Sequence, residues 1–263
     1  MDKIALLDTL ISEASCISAS VHIHPDGDAL GSGLAFISYL KSCRGKDAVL
    51  LVPDPLPDSL SFMLKNYSER DVIVATTAPE KAFERIQESN LLFCLDCSSF
   101  TRAGDLMEPY LRNSSARKVI IDHHLNPEQD SFEVVFSETE ISSACELLYR
   151  ILKEMPEIGG ITDNLPRPCL DSLLTGMTTD TNNFANSVYP STLAMASELI
   201  AAGVDRDRIL SELYNCYREN RLRLMGYLLN ENMEITPEGV ALMILDKDIQ
   251  ERFDFRQGES EGF

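Results

Sequence analysis

Short runs of valine, isoleucine and leucine alternate with helical patterns along the chain, and this alternation restricts the fold more than any other feature. Apolar runs without a polar face are typical of strands buried on both sides, and helices between them supply the crossovers of a parallel sheet. We therefore expect an α/β protein with an open, doubly wound parallel sheet. The runs cover residues 19–23, 48–52, 71–75, 91–95 and 118–121, and the helical patterns cover about 3–14, 29–43, 79–88, 142–154, 169–178, 191–202 and 206–231.

The best domain boundary lies near the long charged helix predicted at 206–231. We assign residues 1–203 to the sheet domain, 204–232 to a linker helix and 233–263 to the beginning of a second domain. The reason is that Thr236-Pro-Glu-Gly forms a turn by composition and is followed by a new apolar strand at 240–245. The alternative is that this last segment docks as an extra strand. The helix pattern does not decide between a linker and packing in a homodimer.

Charge and cysteine content narrow the class of protein. The net charge of −19 argues against long duplex DNA as a partner, since an acidic surface repels a polyanion, but leaves a short anionic substrate open. Seven cysteines without a repeated spacing and without a preceding signal peptide predict a reduced, cytoplasmic protein. No apolar run reaches the roughly 20 residues needed to cross a bilayer, so we expect no membrane segment.

All four histidines lie in two acid-rich segments, each of which follows a predicted strand. The segments are His22-Ile-His24-Pro-Asp26-Gly-Asp28 and Asp122-His123-His124. Because ligands of an open parallel sheet bind beyond the carboxyl ends of its strands, this placement favours a metal site. The alternative for the first segment is structural, with Pro-Asp-Gly as a turn and Asp28 as the cap of the next helix.

Small residues follow the first segment. Gly31, Ser32 and Gly33 would let the backbone approach a phosphate closely, although the lysine of a nucleotide-binding P-loop is missing. We therefore predict a phosphate contact at Ser32.

Two further polar segments follow predicted elements. Asp96 lies in Cys94-Leu-Asp-Cys97, which reads as reduced cysteines around a functional aspartate rather than as a redox pair or half of a zinc knuckle. Asp180 lies in Thr-Thr-Asp-Thr, which on its own reads as a polar turn. The combined set is large enough for two cations, and carboxylates mixed with imidazole favour Mn²⁺, with Mg²⁺, Co²⁺ or Zn²⁺ as alternatives. The predicted ligands are His22, Asp26, Asp28, Asp96, His123 and Asp180.

In order and separation, these four segments resemble the signature motifs of the DHH phosphoesterase superfamily. The quoted motifs are His-Ile-His-Pro-Asp-Gly-Asp-Ala-Leu-Gly-Ser, Leu-Asp-Cys-Ser, Asp-His-His and Thr-Asp-Thr, within residues 20–187. Their wording is similar to that of the bacterial oligoribonuclease (nanoRNase) and 3′-phosphoadenosine-5′-phosphate (pAp) phosphatase branch, the NrnA-like enzymes. That branch carries a second, DHHA1-type domain with a Gly-Gly-Gly-His segment, and no such segment occurs in this sequence.

The resemblance implies a role for each residue. One metal ion would be held by His22, Asp26 and Asp96, and the other by Asp28, Asp96, His123 and Asp180, with Asp96 shared. His22 is chosen over His24 because the family's first histidine precedes the first aspartate by four residues. His124 would contact the scissile phosphate, and Asp122 would orient a neighbouring histidine or water.

The resemblance also implies a reaction, namely hydrolysis of a phosphoester by a hydroxide that bridges two divalent ions. The expected substrates are short RNA, linear dinucleotides such as pGpG and pApA, and pAp. An inorganic pyrophosphatase or exopolyphosphatase is the alternative within enzymes. A metal- or nucleotide-binding module without turnover is the alternative outside them, and a redox role for Cys94 and Cys97 ranks third.

Overall fold

A computed structural model of the protein describes residues 2–256 and 259. Six parallel strands form its main sheet. The strand order is β3-β2-β1-β4-β5-β6, so β1 pairs with both β2 and β4, and the direction of winding reverses between β1 and β4. The predicted α/β class is confirmed. The strands are β1 (Cys16–Ser20), β2 (Asp47–Val52), β3 (Val72–Val74), β4 (Leu91–Leu95), β5 (Arg117–Asp122) and β6 (Val134–Ser137).

Helices cover both faces of this sheet. They are α1 (Lys3–Glu13), α2 (Gly27–Arg44), α3 (Pro79–Glu88), α4 (Gly104–Asn113), α5 (Ala144–Glu154), α6 (Arg167–Asp180) and α7 (Pro190–Ala201), with 3₁₀ turns at Phe100–Ala103 and Thr162–Asn164. The helix α8 (Arg206–Tyr214) and a 3₁₀ turn at Asp58–Asn66 are each divided between the two compact units described below. Alternate residues of β4 point to opposite faces. Cys94 packs in one apolar cluster with Ile86 of α3 and Met107 of α4, whereas Phe93 packs against Phe36 of α2.

Register brings the polar segments together. Ser20 at the end of β1 is level with Cys94, and Leu95 at the end of β4 is level with Ile121. The segments after β1, β4 and β5 therefore leave the same edge of the sheet side by side. This edge, at the reversal between β1 and β4, is where open parallel sheets bind ligands.

Glycines bring α2 and α6 into close contact. A Cβ at Gly31 would lie 2.7 Å from the Ser172 carbonyl oxygen, and one at Gly27 would lie 2.3 Å from Thr179 Oγ1. A Cβ at Gly33 would meet the Leu50 side chain. Gly31 and Gly33 thus serve packing, which corrects the prediction that they let the backbone approach a phosphate. Close packing here places the first turn of α2 beside the last turn of α6.

Several boundaries differ from the sequence predictions. The strand predicted at 19–23 is observed at Cys16–Ser20. The shift arises because the strand contains small, buried serines, whereas the prediction relied on apolar residues. In the main sheet and the helices that cover it, one helix and one strand were missed. The helix α4 was missed because it contains Pro109, and proline usually marks the end of a helix. The strand β6 was missed because buried and half-buried residues alternate along it.

A second compact unit comprises Pro57–Phe62 and Leu210–Phe263, whereas the first comprises Met1–Leu56 and Met63–Ile209. Its apolar cluster consists of Leu224, Leu228 and Ile249 with partly buried neighbours. The elements are α9 (Glu219–Tyr227), a π-helical turn (Leu228–Asn232), β7 (Glu234–Ile235), β8 (Ala241–Leu242) and α10 (Lys247–Arg252). No helix within the described residues is both long enough and apolar enough to span a membrane.

Two predictions in this region were wrong. The helix predicted at 206–231 is interrupted between α8 and α9, where Asn215, Cys216 and Tyr217 are all weak helix formers. The strand predicted at 240–245 is reduced to Ala241–Leu242, which pairs antiparallel with β7. The assignment of residues 204–232 and 233–263 to a linker and a DHHA1-type domain stays a prediction.

Candidate metal centre

The first ligand segment leaves the sheet after β1. His22 lies two residues beyond the strand, and its Nδ1 is 2.7 Å from the Ile23 carbonyl oxygen. Nδ1 therefore carries the proton in the neutral ring, and Nε2 is directed at carboxylates, 3.4 Å from Asp96 Oδ2 and 3.7 Å from Asp26 Oδ2. A carbonyl that fixes one ring nitrogen is the usual support of a metal-binding histidine.

Asp26 and Asp28 are held differently at the start of α2. Asp26 is the N-cap, and its Oδ1 accepts hydrogen bonds from the backbone N–H groups of Asp28 and Ala29, both at 3.0 Å. Asp28 lies within the helix and is buried. This corrects the alternative in which Asp28 is the cap of the helix.

The carboxylate of Asp28 receives two backbone N–H groups from another helix. Ala144 N donates to its Oδ2 at 2.6 Å, and Cys145 N donates to its Oδ1 at 2.9 Å. These N–H groups begin α5 and have no acceptor within their own helix. The side chain of Asp28 is thus fixed before any ligand binds.

Asp96 occupies the centre of the cluster. It follows β4 with a positive φ of 50°, and only 1% of the residue is exposed. Its Oδ2 faces His22, whereas its Oδ1 lies 3.5 Å from His123 Nε2 and has no hydrogen-bond partner. A buried, unpartnered carboxylate oxygen is costly in water-excluded surroundings, and a bound cation would satisfy it.

His123 completes a second group of ligand atoms. Its Nε2 lies 3.8 Å from Asp28 Oδ2, 3.5 Å from Asp96 Oδ1 and 3.6 Å from Asp180 Oδ2. Asp180 is the last residue of α6, beside the start of α2 because of the glycine contacts described above.

The Asp122–His124 pair lies beside these groups. Asp122 is completely buried, and its Oδ1 is 2.9 Å from His124 Nδ1 while its Oδ2 accepts the His124 backbone N–H at 3.2 Å. His124 Nδ1 is also 3.5 Å from Asp96 Oδ1, so this histidine borders the second group. Its side chain is 39% exposed, in keeping with a position at the mouth of the site.

The ionisation of the cluster reflects its excess of carboxylates. Burial by itself lowers the pKa of His22, but the nearby carboxylates of Asp26 and Asp96 outweigh it and raise the pKa to about 10. The pKa of His123 is raised to about 9 in the same way, against the effect of burial, by Asp96 and by the charges of Asp28 and Asp180. Without a bound cation, both imidazoles are therefore protonated at neutral pH and offset part of the carboxylate charge.

The carboxylates divide into two kinds. Burial favours the neutral form of Asp96, but the neighbouring imidazoles of His123 and His22 lower its pKa to about 2. Burial and the neighbouring acids raise the pKa of Asp28 well above its ordinary value, and burial raises that of Asp180 to about 6 although His123 opposes the shift. Without another cation, the cluster holds its charge balance by binding protons.

These residues fit two divalent cations. The first position is formed by His22, Asp26 and Asp96, and the second by Asp28, His123 and Asp180, with the ligand atoms of each group within 4.8 Å of one another. Asp96 contributes one oxygen to each, since its Oδ1 also faces His123. Imidazole nitrogen and carboxylate oxygen suit Mn²⁺, Zn²⁺ or Co²⁺. The six predicted ligands are therefore brought together.

Three predicted features lie apart from the set. Ser32 is completely buried, and its hydroxyl donates to the Ala29 carbonyl, so this geometry does not support the predicted phosphate contact. His24 has a positive φ of 50°, and its backbone N–H donates to Asp54. Cys94 and Cys97 are buried free thiols that donate to backbone carbonyls, which is unlike an accessible redox pair.

One supporting group was missed from the sequence. Ser143 is the N-cap of α5 and Glu146 occupies the third helical position, so Ser143-Ala-Cys-Glu146 is the Ser-x-x-Glu pattern of a helix start. That pattern would have placed α5 correctly. It would not have shown that the same helix start donates to Asp28.

Comparison with known proteins gives consistent matches. Residues 17–177 match the family described as DHH family, N-terminal domain. The cyclic-di-AMP phosphodiesterase PdeA of Listeria monocytogenes is 25% identical over 242 residues, which are 90% of this chain and 35% of that protein. The bifunctional oligoribonuclease and PAP phosphatase NrnA of Thermus thermophilus is 31% identical over 221 residues, which are 81% of this chain and 58% of that protein.

A solved structure resembles the whole chain. The crystal structure of an exopolyphosphatase-related protein from Bacteroides fragilis has a TM-score of 0.90 and 35% sequence identity, and the match covers 99% of this chain and 74% of that one. The two curated relatives are considerably longer, since the chain spans only 35% and 58% of their lengths.

Proposed function

The chain belongs to the DHH family, whose N-terminal domain matches residues 17–177, and on that premise we propose that it is a phosphoester hydrolase dependent on two divalent metal ions. The observation that carries this proposal is the position of Asp96. Its two oxygens face His22 and His123 at 3.4 and 3.5 Å, so one buried carboxylate joins two adjacent groups of ligand atoms. Adjacent cations that share a ligand are typical of enzymes that displace groups at phosphorus.

The residues divide the work between holding ions and handling phosphate. When bound, the two ions would polarise a phosphoryl oxygen and lower the pKa of an attacking water. Asp122 holds Nδ1 of His124, so the ring is oriented to meet a phosphate oxygen through Nε2. No covalent intermediate with the chain is needed, and no buried cysteine takes part.

For the metal we favour Mn²⁺, with Mg²⁺ or Co²⁺ as alternatives. Each group offers one imidazole nitrogen among carboxylate oxygens. This mixture suits Mn²⁺ better than it suits Mg²⁺, which prefers sites made of oxygen ligands alone.

For the substrate we propose short oligoribonucleotides of about two to five residues, including linear pGpG and pApA, together with pAp. Two observations support this choice. The name of the Thermus relative couples an oligoribonuclease with a PAP phosphatase. The net charge of −19 also disfavours a substrate with many phosphates outside the site.

The test is Mn²⁺-dependent release of mononucleotide from a 5′-labelled RNA dinucleotide, measured beside pAp, cyclic di-AMP, pyrophosphate and polyphosphate. We expect turnover of the dinucleotide and of pAp, with rates that fall as RNA is lengthened. Phosphate release from pyrophosphate or polyphosphate alone would move the protein to the pyrophosphatase or exopolyphosphatase alternative. Binding of nucleotide without turnover of any of these would support a non-catalytic module.

A further inference from the structure

Glu146 lies outside both groups of metal ligands. Its side chain is completely buried, and none of the described residues provides a positively charged partner for its carboxylate. Its Oε2 accepts the backbone N–H of Ser142, the hydroxyl of Ser142 and the hydroxyl of Thr192. Its Oε1 is buried without a hydrogen-bond partner. Burying a carboxyl group with one oxygen that lacks a hydrogen-bond partner is costly, so its contacts must supply something that an apolar side chain would not.

On one side, these contacts fix the start of α5. Ser143 caps the helix by accepting the Glu146 backbone N–H at 3.0 Å, and Glu146 in return holds the preceding residue, Ser142. The next two N–H groups, from Ala144 and Cys145, go to Asp28 rather than to water. The position of the Asp28 carboxylate therefore depends on how firmly the first turn of α5 is held.

On the other side, Glu146 reaches the segment that follows Asp180. Thr192 donates to Glu146 at 2.7 Å and accepts the backbone N–H of Tyr189 at 3.1 Å, which closes the start of α7. The loop between Asp180 and Tyr189 is thereby attached at its far end to α5. Glu146 links the supports of two ligands, Asp28 and Asp180, that belong to the same metal position.

From this arrangement we infer that Glu146 is a positioning residue for the second metal position, through α5 for Asp28 and through Thr192 for Asp180. The inference rests on the proposed function only in assuming that the cluster binds metal. The first position is not reached by this network, since neither His22 nor Asp26 contacts α5 or α7 through any recorded hydrogen bond among the described residues.

The experiment is a titration of the metal-depleted chain with Mn²⁺ in the absence of substrate. Calorimetry and electron paramagnetic resonance monitor the titration and give the affinity for each ion. Two reference variants identify the ions, Asp26→Asn for the first position and Asp180→Asn for the second. We expect Glu146→Ala to behave like Asp180→Asn, with one ion bound as in the unaltered chain and the other weakened by about 10- to 100-fold. Glu146→Gln keeps an acceptor for Ser142 and Thr192 and should restore most of that affinity.

Tyr149→Phe is the matched control, because it removes hydrogen bonds to Thr162 and Glu198 from the same helix without touching the Ser142–Thr192 network. It should leave both metal affinities unchanged. If Glu146→Ala is too unstable to isolate, Thr192→Val removes a single donor and should weaken the same ion to a smaller extent.

Unchanged affinities in Glu146→Ala, or equal weakening of both ions, would overturn the inference. Failure of the unaltered chain to bind two ions would instead count against the proposed function.

Discussion

Asp96 concentrates most of the chemistry of the cluster in one side chain. It is buried, it adopts a left-handed backbone conformation that aspartate accepts less readily than glycine but more readily than most other residues, and its oxygens face in two directions. Strain of this kind persists where surrounding structure enforces it, and it is concentrated at functional sites. The side chain is thus held where each oxygen meets a different histidine.

The first prediction concerns this residue. Asp96→Asn should remove one anionic oxygen from the ligand atoms shared by both positions, so metal content should fall and Mn²⁺-dependent hydrolysis should drop at least about a thousandfold, since two-metal sites supply several kcal/mol of transition-state stabilisation. Metal content is measured by elemental analysis after gel filtration. Asp130→Asn, at an exposed aspartate, is the control. Full metal content with normal turnover in Asp96→Asn would contradict the assignment.

The second prediction separates orientation from metal binding. In Asp122→Asn, the contact to His124 Nδ1 loses its charge, but no ligand of either metal position is altered. We expect two ions to remain bound while kcat falls by about 10- to 100-fold, the usual cost of losing an outer partner. Steady-state kinetics and metal analysis on the same preparation decide it. Loss of an ion would show that Asp122 supports a ligand instead.

At the level of elements, the second metal position is a consequence of helix packing. Asp28 and Asp180 lie in different helices, and they approach His123 together because α2 and α6 are in glycine-mediated contact. The site therefore depends on glycines, which have no side chain that could bind metal or substrate.

The third prediction tests that dependence. Gly31→Ala would place a methyl group 2.7 Å from a backbone carbonyl of α6, which cannot move away as a side chain can. We expect a loss of about 1–3 kcal/mol in the free energy of unfolding, measured with urea, and weaker binding of the ion at the second position. Gly226→Ala, in α9 with open space around its Cβ, makes the same substitution and should not destabilise. Equal behaviour of the two variants would argue against the packing explanation.

Elements also show where sequence reasoning succeeds. The strands flanked by polar ligand segments could be located because fully buried strand residues leave continuous apolar runs, as in Leu91–Leu95 of β4 and at residues 119–121 of β5. Five of the six ligands could be gathered because they follow parallel strands, which end at a common edge. Asp180 ends the helix α6 instead, and it was added to the set only because of the other three segments.

Other features could not be found in this way. Ser18 and Ser20 are buried in β1 without an apolar signature, and the break between α8 and α9 has no proline or glycine to mark it. That Gly31 serves helix contact and not phosphate binding depends on a partner about 140 residues away in sequence, which local patterns do not contain.

For the whole molecule, the clearest physical property is an excess of acidic groups, both in the cluster and over the chain, with 42 acidic against 23 basic residues. When metal is removed, bound protons offset the negative charges of the carboxylates in the cluster. The stability of the metal-free protein should therefore depend on pH in a definable direction.

The fourth prediction follows from the histidines. The pKa values of about 10 for His22 and about 9 for His123 lie above the value of about 6.5 in an unfolded chain. Their stabilisation is fully present below pH 6.5 and is lost as pH rises through 9 and 10. We expect the Tm of the metal-free chain to fall by at least about 4 °C between pH 7 and 10. His22→Gln is the control and should show a shallower fall. A constant or rising Tm in the unaltered chain would contradict this account.

The fifth prediction concerns ionic strength. Because the net charge of −19 repels anionic substrates, salt should screen repulsion rather than attraction. We expect kcat/KM for a short RNA to stay level or rise between 20 and 200 mM KCl at saturating Mn²⁺. A steep fall, as basic nucleic-acid-binding proteins show, would indicate a local cationic surface that outweighs the net charge.

The double use of Asp28 has an evolutionary consequence. Its carboxylate accepts the first N–H groups of α5, so it acts as the cap of a helix more than 110 residues away as well as a metal ligand. A descendant that abandoned hydrolysis would be free to replace Asp180 or His123, but replacing Asp28 would leave two buried N–H groups without acceptors. In lineages where the reaction has been lost, Asp28 should therefore be among the last of the ligands to disappear, as a remnant kept by the fold.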